Sequence, residues 1–361
     1  MGLKVGIIGL PNAGKSTLFN ALTGSKVAAK NFPFCTIKPN IALTPIPDMR
    51  LFKLQEIVKS RCITPEYIEF IDIAGLVKGA SKGYGLGNQF LNQIRTADAI
   101  GHVVGCFSKD LCSSKYMFEN VLNDIHIINS ELILSDIARC TEKISFLKKQ
   151  NKNNNIKNQI YILEFFLEAL SNKKHHTHKK TENLHDSIIS ELNFLTLKPK
   201  MLILNIHENS SKNIEYIEKI KKYFNHLEIP VLKICATFED NFINSLQKKS
   251  SKMYIISKLA NSNLGTIINC GCQLLKLNNF FTIGKKEVRS WLINYKTTAL
   301  QASGKIHSDF QRGFIRAKVI SFENFMHYKS MNLAKKFGKI KLEGKDYLVK
   351  NGDIIEFLFN V

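Results

Sequence analysis

The sequence predicts an α/β P-loop nucleotide-binding domain interrupted by a helical coiled-coil insertion and followed by a C-terminal α+β ubiquitin-like module. Three observations carry this. Gly9-Leu10-Pro11-Asn12-Ala13-Gly14-Lys15-Ser16 fits G-x-x-x-x-G-K-[ST], between a short apolar run and a helix-forming stretch. From Glu131 the apolar residues fall into the 4-3-4-3 spacing of packed helices. From about residue 278 short strand-like runs and Gly turns take over, with one helix among them.

Val5-Gly6-Ile7-Ile8 reads as a buried strand, and Ser16 to Leu22 opens a helix. Between them the glycines let successive backbone N–H groups turn toward a polyphosphate, helped by the helix N-terminus. Lys15 then reaches the β- and γ-phosphates, and the Ser16 hydroxyl is a Mg²⁺ ligand. Asn31 to Asn40 carries two prolines and no helical period, so it is a loop or extended segment. In switch-type nucleoside triphosphatases a threonine here closes over Mg²⁺ and the γ-phosphate, and Thr36 is the candidate. Tyr67 to Asp72 alternates as a strand and runs into Asp72-Ile73-Ala74-Gly75, a D-x-x-G box. Asp72 would hold Mg²⁺ through water, and the Gly75 amide would sense the γ-phosphate. Leu76 follows, where Ras-like enzymes place a water-orienting Gln, and Gly79 to Gly87 reads as a mobile switch loop.

Ala99 to Val104 is a further core strand, in which His102 reads as a packed histidine. Ile133, Ile137, Cys140, Ile144 and Leu147 form one apolar series, and Ile156, Ile160, Leu163, Leu167 and Leu170 a second. The polar run 151–155 separates them, as in an antiparallel hairpin. His175, His176 and His178 lie in a polar stretch that reads as a solvated loop, with a metal site as the alternative. A third helix is expected around Ile188 to Phe194. Lys200 to Asn205 returns to strand and ends in Asn205-Ile206-His207-Glu208, where guanine-specific proteins carry N-K-x-D. The lysine that covers guanine is Ile206 here, and the aspartate is the longer Glu208. Pro230 to Thr237 is a last strand, leading into the base-cradling loop.

With 361 residues the chain has room for two or three domains. Lys and Arg number 51 against 30 Asp and Glu, a net charge of +21, which points to a polyanionic partner such as RNA. The abundance of Lys, Asn and Ile also fits codon drift in an AT-rich genome. Eight cysteines show no C-x-x-C pair, so buried thiols in a reducing cytosol are expected. There is no apolar run of membrane-spanning length, no signal peptide and no myristoylation motif, since residue 6 is Gly. A cytoplasmic protein without a membrane partner is expected.

With these boxes in view, the chain resembles the YchF / Obg-like ATPases of the translation-factor class of P-loop proteins. The resemblance rests on Gly9 to Asn20, Asn31-Phe32-Pro33-Phe34-Cys35-Thr36, Asp72 to Ala80, Asn205-x-x-Glu208 and Gly304-Lys305-Ile306-His307 through Asn360-Val361. It implies a nucleotide-binding domain at 1–130 and 199–277, a coiled-coil insertion at 131–198 and a TGS domain at 278–361. It further implies Mg²⁺-dependent ATP hydrolysis, ATP preferred over GTP, and association with the ribosome, the large subunit included. Phosphate contacts would fall to Asn12, Ala13, Gly14, Lys15, Ser16 and Thr17, Mg²⁺ to Ser16 and Thr36, and the adenine environment to Asn205 and Ile206. The family's hydrolytic histidine, in an H-V-x-G stretch, is replaced by Ser114-Lys115-Tyr116-Met117, and Gly105 stands where the family often carries Arg. Binding is then expected to survive with slow turnover, unless His102 or His126 swings in. The alternative reading is a ribosome-binding nucleotide sensor with little catalysis.

Overall fold

The computed structural model describes residues 3–24, 40–73, 86–107, 114–150, 153–171, 187–208, 214–249 and 251–360. The first elements are β1 (Lys4–Gly9), α1 (Lys15–Gly24), β2 (Ile41–Pro45), α2 (Met49–Val58), β3 (Cys62–Thr64), β4 (Tyr67–Asp72), α3 (Leu86–Thr96) and β5 (Ala99–Cys106). Next come α4 (Ser114–Lys148), α5 (Asn154–Ser171), α6 (Ser187–Leu192), β6 (Lys200–Ile206), α7 (Ile214–Asn225), β7 (Val231–Ile234) and α8 (Ala236–Lys249). Among the described residues, a six-stranded sheet has the order β2-β4-β1-β5-β6-β7, with β2 antiparallel to β4 and every other pairing parallel. β1 and β5 are almost wholly buried because helices cover both faces, which is why they read as continuous apolar runs. From β1 the chain passes to β2 and β4 on one side and then crosses to β5, β6 and β7 on the other, so the loop after β1 opens at the switch point of the sheet, where such folds bind ligands.

α4 is a single 35-residue helix. The sequence places the helical insertion from Glu131, whereas the helix already begins at Ser114. Its first half packs Met117, Val121 and Ile125 on the sheet side, so no boundary of secondary structure falls at 130. The two apolar series of the insertion meet in one cluster with Ile188, Leu192 and Phe194. The root of the insertion is tied to α3. Asp136, fully buried, accepts hydrogen bonds from Leu195 N (3.1 Å), Thr196 N (2.8 Å) and Thr196 Oγ1 (2.9 Å), with Arg95 Nη1 at 3.5 Å. Burial still pushes the Asp136 carboxyl upward, against these donors and Arg95.

The chain continues through α9 (Lys252–Ala260), α10 (Asn263–Leu274), β8 (Leu277–Ile283), β9 (Glu287–Asn294), α11 (Ala299–Ile306) and α12 (Ser308–Arg312). It ends with β10 (Phe314–Ser321), α13 (Phe322–Tyr328), α14 (Met331–Lys336), β11 (Lys341–Glu343) and β12 (Asp353–Phe359). A second six-stranded sheet has the order β11-β10-β12-β8-β9-β3. Two differences from the sequence reading stand out. The segment holds four short helices rather than one. Nor is it separate, because β3 pairs in parallel with β9, and Leu51 and Leu54 of α2 lie in one cluster with Phe281, Phe325 and Ile354. Arg50 fixes the joint: it donates to Asp48 Oδ2 (2.7 Å) and Asn351 Oδ1 (3.1 Å), with its guanidinium 5.0 Å over the Phe281 ring.

Of the described cysteines, Cys106, Cys140, Cys270 and Cys272 are buried as expected and Cys235 is partly so, but Cys62 on the edge strand β3 is exposed. Among the described residues no helix is long and apolar enough to cross a membrane.

Candidate nucleotide site

The phosphate end is made by the turn between β1 and α1. Asn12 (φ 65°) and Gly14 (φ 86°) both lie in the left-handed region and reverse the chain tightly enough for α1 to start at Lys15. Ala13 N donates to Leu10 O (3.3 Å) and Leu18 N to Gly14 O (3.0 Å). The amides of the first helical turn have no carbonyl of their own helix to bond, and they point out of the helix end toward any anion placed there. Ser16 is exposed and Thr17 partly so, whereas Ala13 is buried beneath the turn. Lys15 Nζ donates to Asp72 Oδ1 in an ion pair that is mostly shielded from solvent. This contact joins the start of α1 to the end of β4 and brings together two groups that sequence reading assigned to phosphate and metal.

At the base end, Asn205 is 3% exposed and its side chain is engaged by backbone on both sides. Its Nδ2 donates to Ala13 O (3.0 Å) and its Oδ1 accepts from Ala236 N (3.0 Å). A Cβ at residue 14 would collide with that amide, so Gly14 is required by contact as well as by φ. Asn205 thus acts as a pin between the phosphate turn and the start of α8, a role its expected place in an adenine environment does not describe. The expected strand from Pro230 to Thr237 stops at Ile234, and helix begins at Ala236, putting the amide that Asn205 holds at a helix N-terminus. Ile206 packs against the cluster of Val104, Cys106 and Tyr216, so its side chain is turned into the protein. Glu208 is exposed.

Sequence reading missed Phe107. It is 47% exposed. Its ring lies 3.6 Å from where a Cβ on Gly14 would stand and 3.1 Å from where one on Gly105 would stand. The signal was available: after the buried strand Ala99–Cys106, the first outward residue is a large aromatic rather than a polar one. The same contacts show why Gly105 suits this chain, since a side chain there would press on both the ring and Ala13 Cα, at 3.2 Å.

Over their whole lengths the chain is 46% identical to a protein of Escherichia coli O157:H7, and the described relatives include one from Bacillus subtilis at 39%. Both are named ribosome-binding ATPase YchF and are covered to 100%, as is this chain. The chain belongs to the YchF family. Residues 277–360 match the YchF-GTPase C-terminal profile, described as a protein of unknown function (DUF933), and residues 4–134 match a profile described as 50S ribosome-binding GTPase. Among solved structures, the Schizosaccharomyces pombe YchF GTPase aligns at TM-score 0.81 with 32% identity, covering 99% of this chain and 98% of that one. A GTP binding protein from Pyrococcus horikoshii shares the fold at TM-score 0.56 and 15% identity. The YchF relatives are named for ATP and the S. pombe structure for GTP.

Several residues that the YchF resemblance singles out, Thr36, Gly75 and Leu76, lie outside the described residues, as do His175, His176 and His178. Ser114 opens α4, and its side chain also lies outside them. The two reserve histidines can be placed. His102 is 3% exposed in β5, and burial, with Lys200 adding to it, pushes its pKa down to about 3. A neutral imidazole locked between β1 and β6 cannot swing into the cleft. His126 is exposed three turns into α4, roughly 18 Å along the helix from Ser114.

The donor set fits Mg²⁺. Ser16 offers a hydroxyl and Asp72 a carboxylate, both hard oxygen donors of the kind that cation takes one or two at a time beside phosphate and water. No cluster of three or more His, Cys, Asp or Glu able to hold a metal occurs among the described residues.

Proposed function

We propose that the chain is a ribosome-associated P-loop ATPase that binds Mg²⁺-ATP in preference to GTP and hydrolyses it slowly as a translation-linked switch in the cytoplasm. The observation that carries the reading is the meeting of Lys15, the N-terminus of α1 and Asp72 at the switch point of the sheet. That arrangement offers a cation, a set of amides and a carboxylate to one end of a polyphosphate. Lys15 and the amides from Asn12 to Thr17 hold and orient the phosphates and concentrate positive charge where negative charge builds in phosphoryl transfer. Ser16, Asp72 through water and Thr36 are the residues that would hold Mg²⁺, which when bound neutralises phosphate charge. Gly75 is assigned the γ-phosphate through its amide. The base lies between Phe107 and the loop from Asn205 to Glu208. ATP is favoured because no lysine covers the base and Glu208 is a methylene too long for the guanine edge. The three-part division at 130/131, 198/199 and 277/278, with the last part a TGS domain, belongs to this reading.

Slow turnover rests on Ser114 standing in place of the family histidine and on His102 being locked away. A placed general base or water-orienting group contributes roughly 10²–10⁴ in rate. The same substitution favours the second reading, a ribosome-binding nucleotide sensor with little turnover. Single-turnover phosphate release with and without ribosomes, beside paired ATP and GTP titrations, separates the two. The ATPase reading expects a low intrinsic rate that ribosomes or Ser114→His raise. A rate at buffer background under all three conditions leaves the sensor reading, and GTP bound as tightly as ATP removes the base assignment.

A further inference from the structure

Strands β8 and β12 are neighbours in the second sheet but share one paired position, Phe281 with Ile354. β8 stops two residues later at Ile283, whereas β12 runs on to Phe359. A cavity of about 260 Å³ opens where they part. Thr282 and Ile283 form one wall, and Ile354 to Phe357, with Phe359, form the other. Ile355 and Phe357 turn toward the side of α11 and α12, where Ile306 and Phe310 close the space. Ile354 turns to the opposite side, where Met331 of α14 closes it. Residues of both faces line the cavity, so it crosses the plane of the sheet between two helix layers. Such a space is elongated and suits a linear chain better than a flat ring.

Two of the lining side chains are polar, and both are already engaged. Thr282 Oγ1 accepts from Trp291 Nε1 (3.0 Å), and Glu356 accepts from Lys318 Nζ (3.2 Å). Recognition inside the cavity is therefore apolar. An apolar cavity of about 150 Å³ already takes benzene, and this one is larger. Its rim has the opposite character. The turn that follows Ile283 carries Lys285 and Lys286, both exposed, and Arg61 N donates to Lys285 O (3.2 Å), bringing a third exposed cation to that turn. None of the three joins an ion pair among the described residues. The adjacent Glu287 is turned to Thr64, whose Oγ1 donates to it at 3.0 Å. An apolar channel with cations at one rim calls for a ligand with an apolar chain and an anionic head.

We propose that this cavity binds a medium-chain fatty acid, its chain between β8 and β12 and its carboxylate at the turn of Lys285 and Lys286. The site shares no residue with the nucleotide cleft.

The test uses the full-length chain and decanoate below its micelle concentration. Trp291 is the one tryptophan of the chain, and its ring nitrogen is bonded to the cavity wall, so its emission reports on the site. One decanoate per chain is expected in isothermal titration, with a saturable shift of Trp291 emission. Octanoate, two methylenes shorter, is expected to bind about tenfold more weakly. Ile306→Phe and, separately, Ile283→Phe fill the cavity from different walls, and each is expected to lose at least about tenfold. Lys285→Gln/Lys286→Gln is expected to lose about fivefold for decanoate and nothing for decanol. Phe165→Ala removes an exposed ring on α5, outside the cavity, and is expected to change nothing. Urea unfolding midpoints check that each variant is folded. Titrations that never saturate, or equal losses in Phe165→Ala and the filling variants, overturn the proposal. So does wild-type affinity in both filling variants, or decanol or decyltrimethylammonium bound as tightly as decanoate.

Discussion

The phosphate end of the proposed cleft is assembled from one stretch of chain, Gly9 to Ser16, whose turn leaves the first amides of α1 free to meet an anion. The base end is assembled from pieces more than 190 positions apart, the span over which Asn205 reaches back to Ala13. In the first, function follows from glycines and a helix start, which local sequence dictates. In the second, identity at a position says little until the fold shows which way the side chain turns: Asn205 into the backbone, Ile206 into a core cluster, Phe107 outward. Phosphate binding should therefore respond to loss of one charge, whereas base selection should resist edits made by analogy.

The largest effect is expected at the phosphate end. Lys15→Ala removes the cation proposed for the β- and γ-phosphates, and nucleotide affinity should fall by about tenfold to a hundredfold. Isothermal titration giving wild-type affinity would erase the contrast at its strong side. Asn205→Ala tests the link between the two ends. It leaves Ala13 O and Ala236 N without their partner, so stability should fall by about 2 kcal/mol in urea unfolding. ATP and GTP affinities should fall together, by about tenfold; a loss confined to ATP would make Asn205 a base contact after all. Phe107→Ala should weaken ATP by about fivefold through the lost ring face and leave inorganic triphosphate binding unchanged. The smallest effect is expected from Ile206→Lys with Glu208→Asp. Because position 206 is packed against Val104 and Tyr216, preference should move toward GTP by only about threefold in competition titration. A larger swing would mean that residue 206 faces the base.

The legible part of the molecule follows the same division. The loop motif, the strands ending at Asp72 and Asn205, and the helical periodicities were readable because each is fixed by local chemistry or by a period. The region from Ile41 to Glu66 was not. β2, α2 and β3 are short, and α2 carries its burial against a sheet formed hundreds of positions later. No local pattern announces Leu51 and Leu54 as partners of Phe281. For the same reason the last module looked detachable in sequence. Truncation at residue 278 would uncover Leu51, Leu54 and Ile63, and a loss of nucleotide binding in such a fragment would report damage to that seam.

The pairing of β3 with β9 also bears on how the chain is made. Thr64 leaves the exit channel 223 residues before Glu287, the residue whose side chain its hydroxyl meets. At about 5–20 residues per second, that interval is roughly 10–45 s. Throughout it the emerging segment holds an unpaired strand and the bare leucines of α2, open to chaperones or to the same segment on a neighbouring nascent chain. Completion of this protein is thus a late, single closing event in which the tail returns to a site laid down near the beginning of translation.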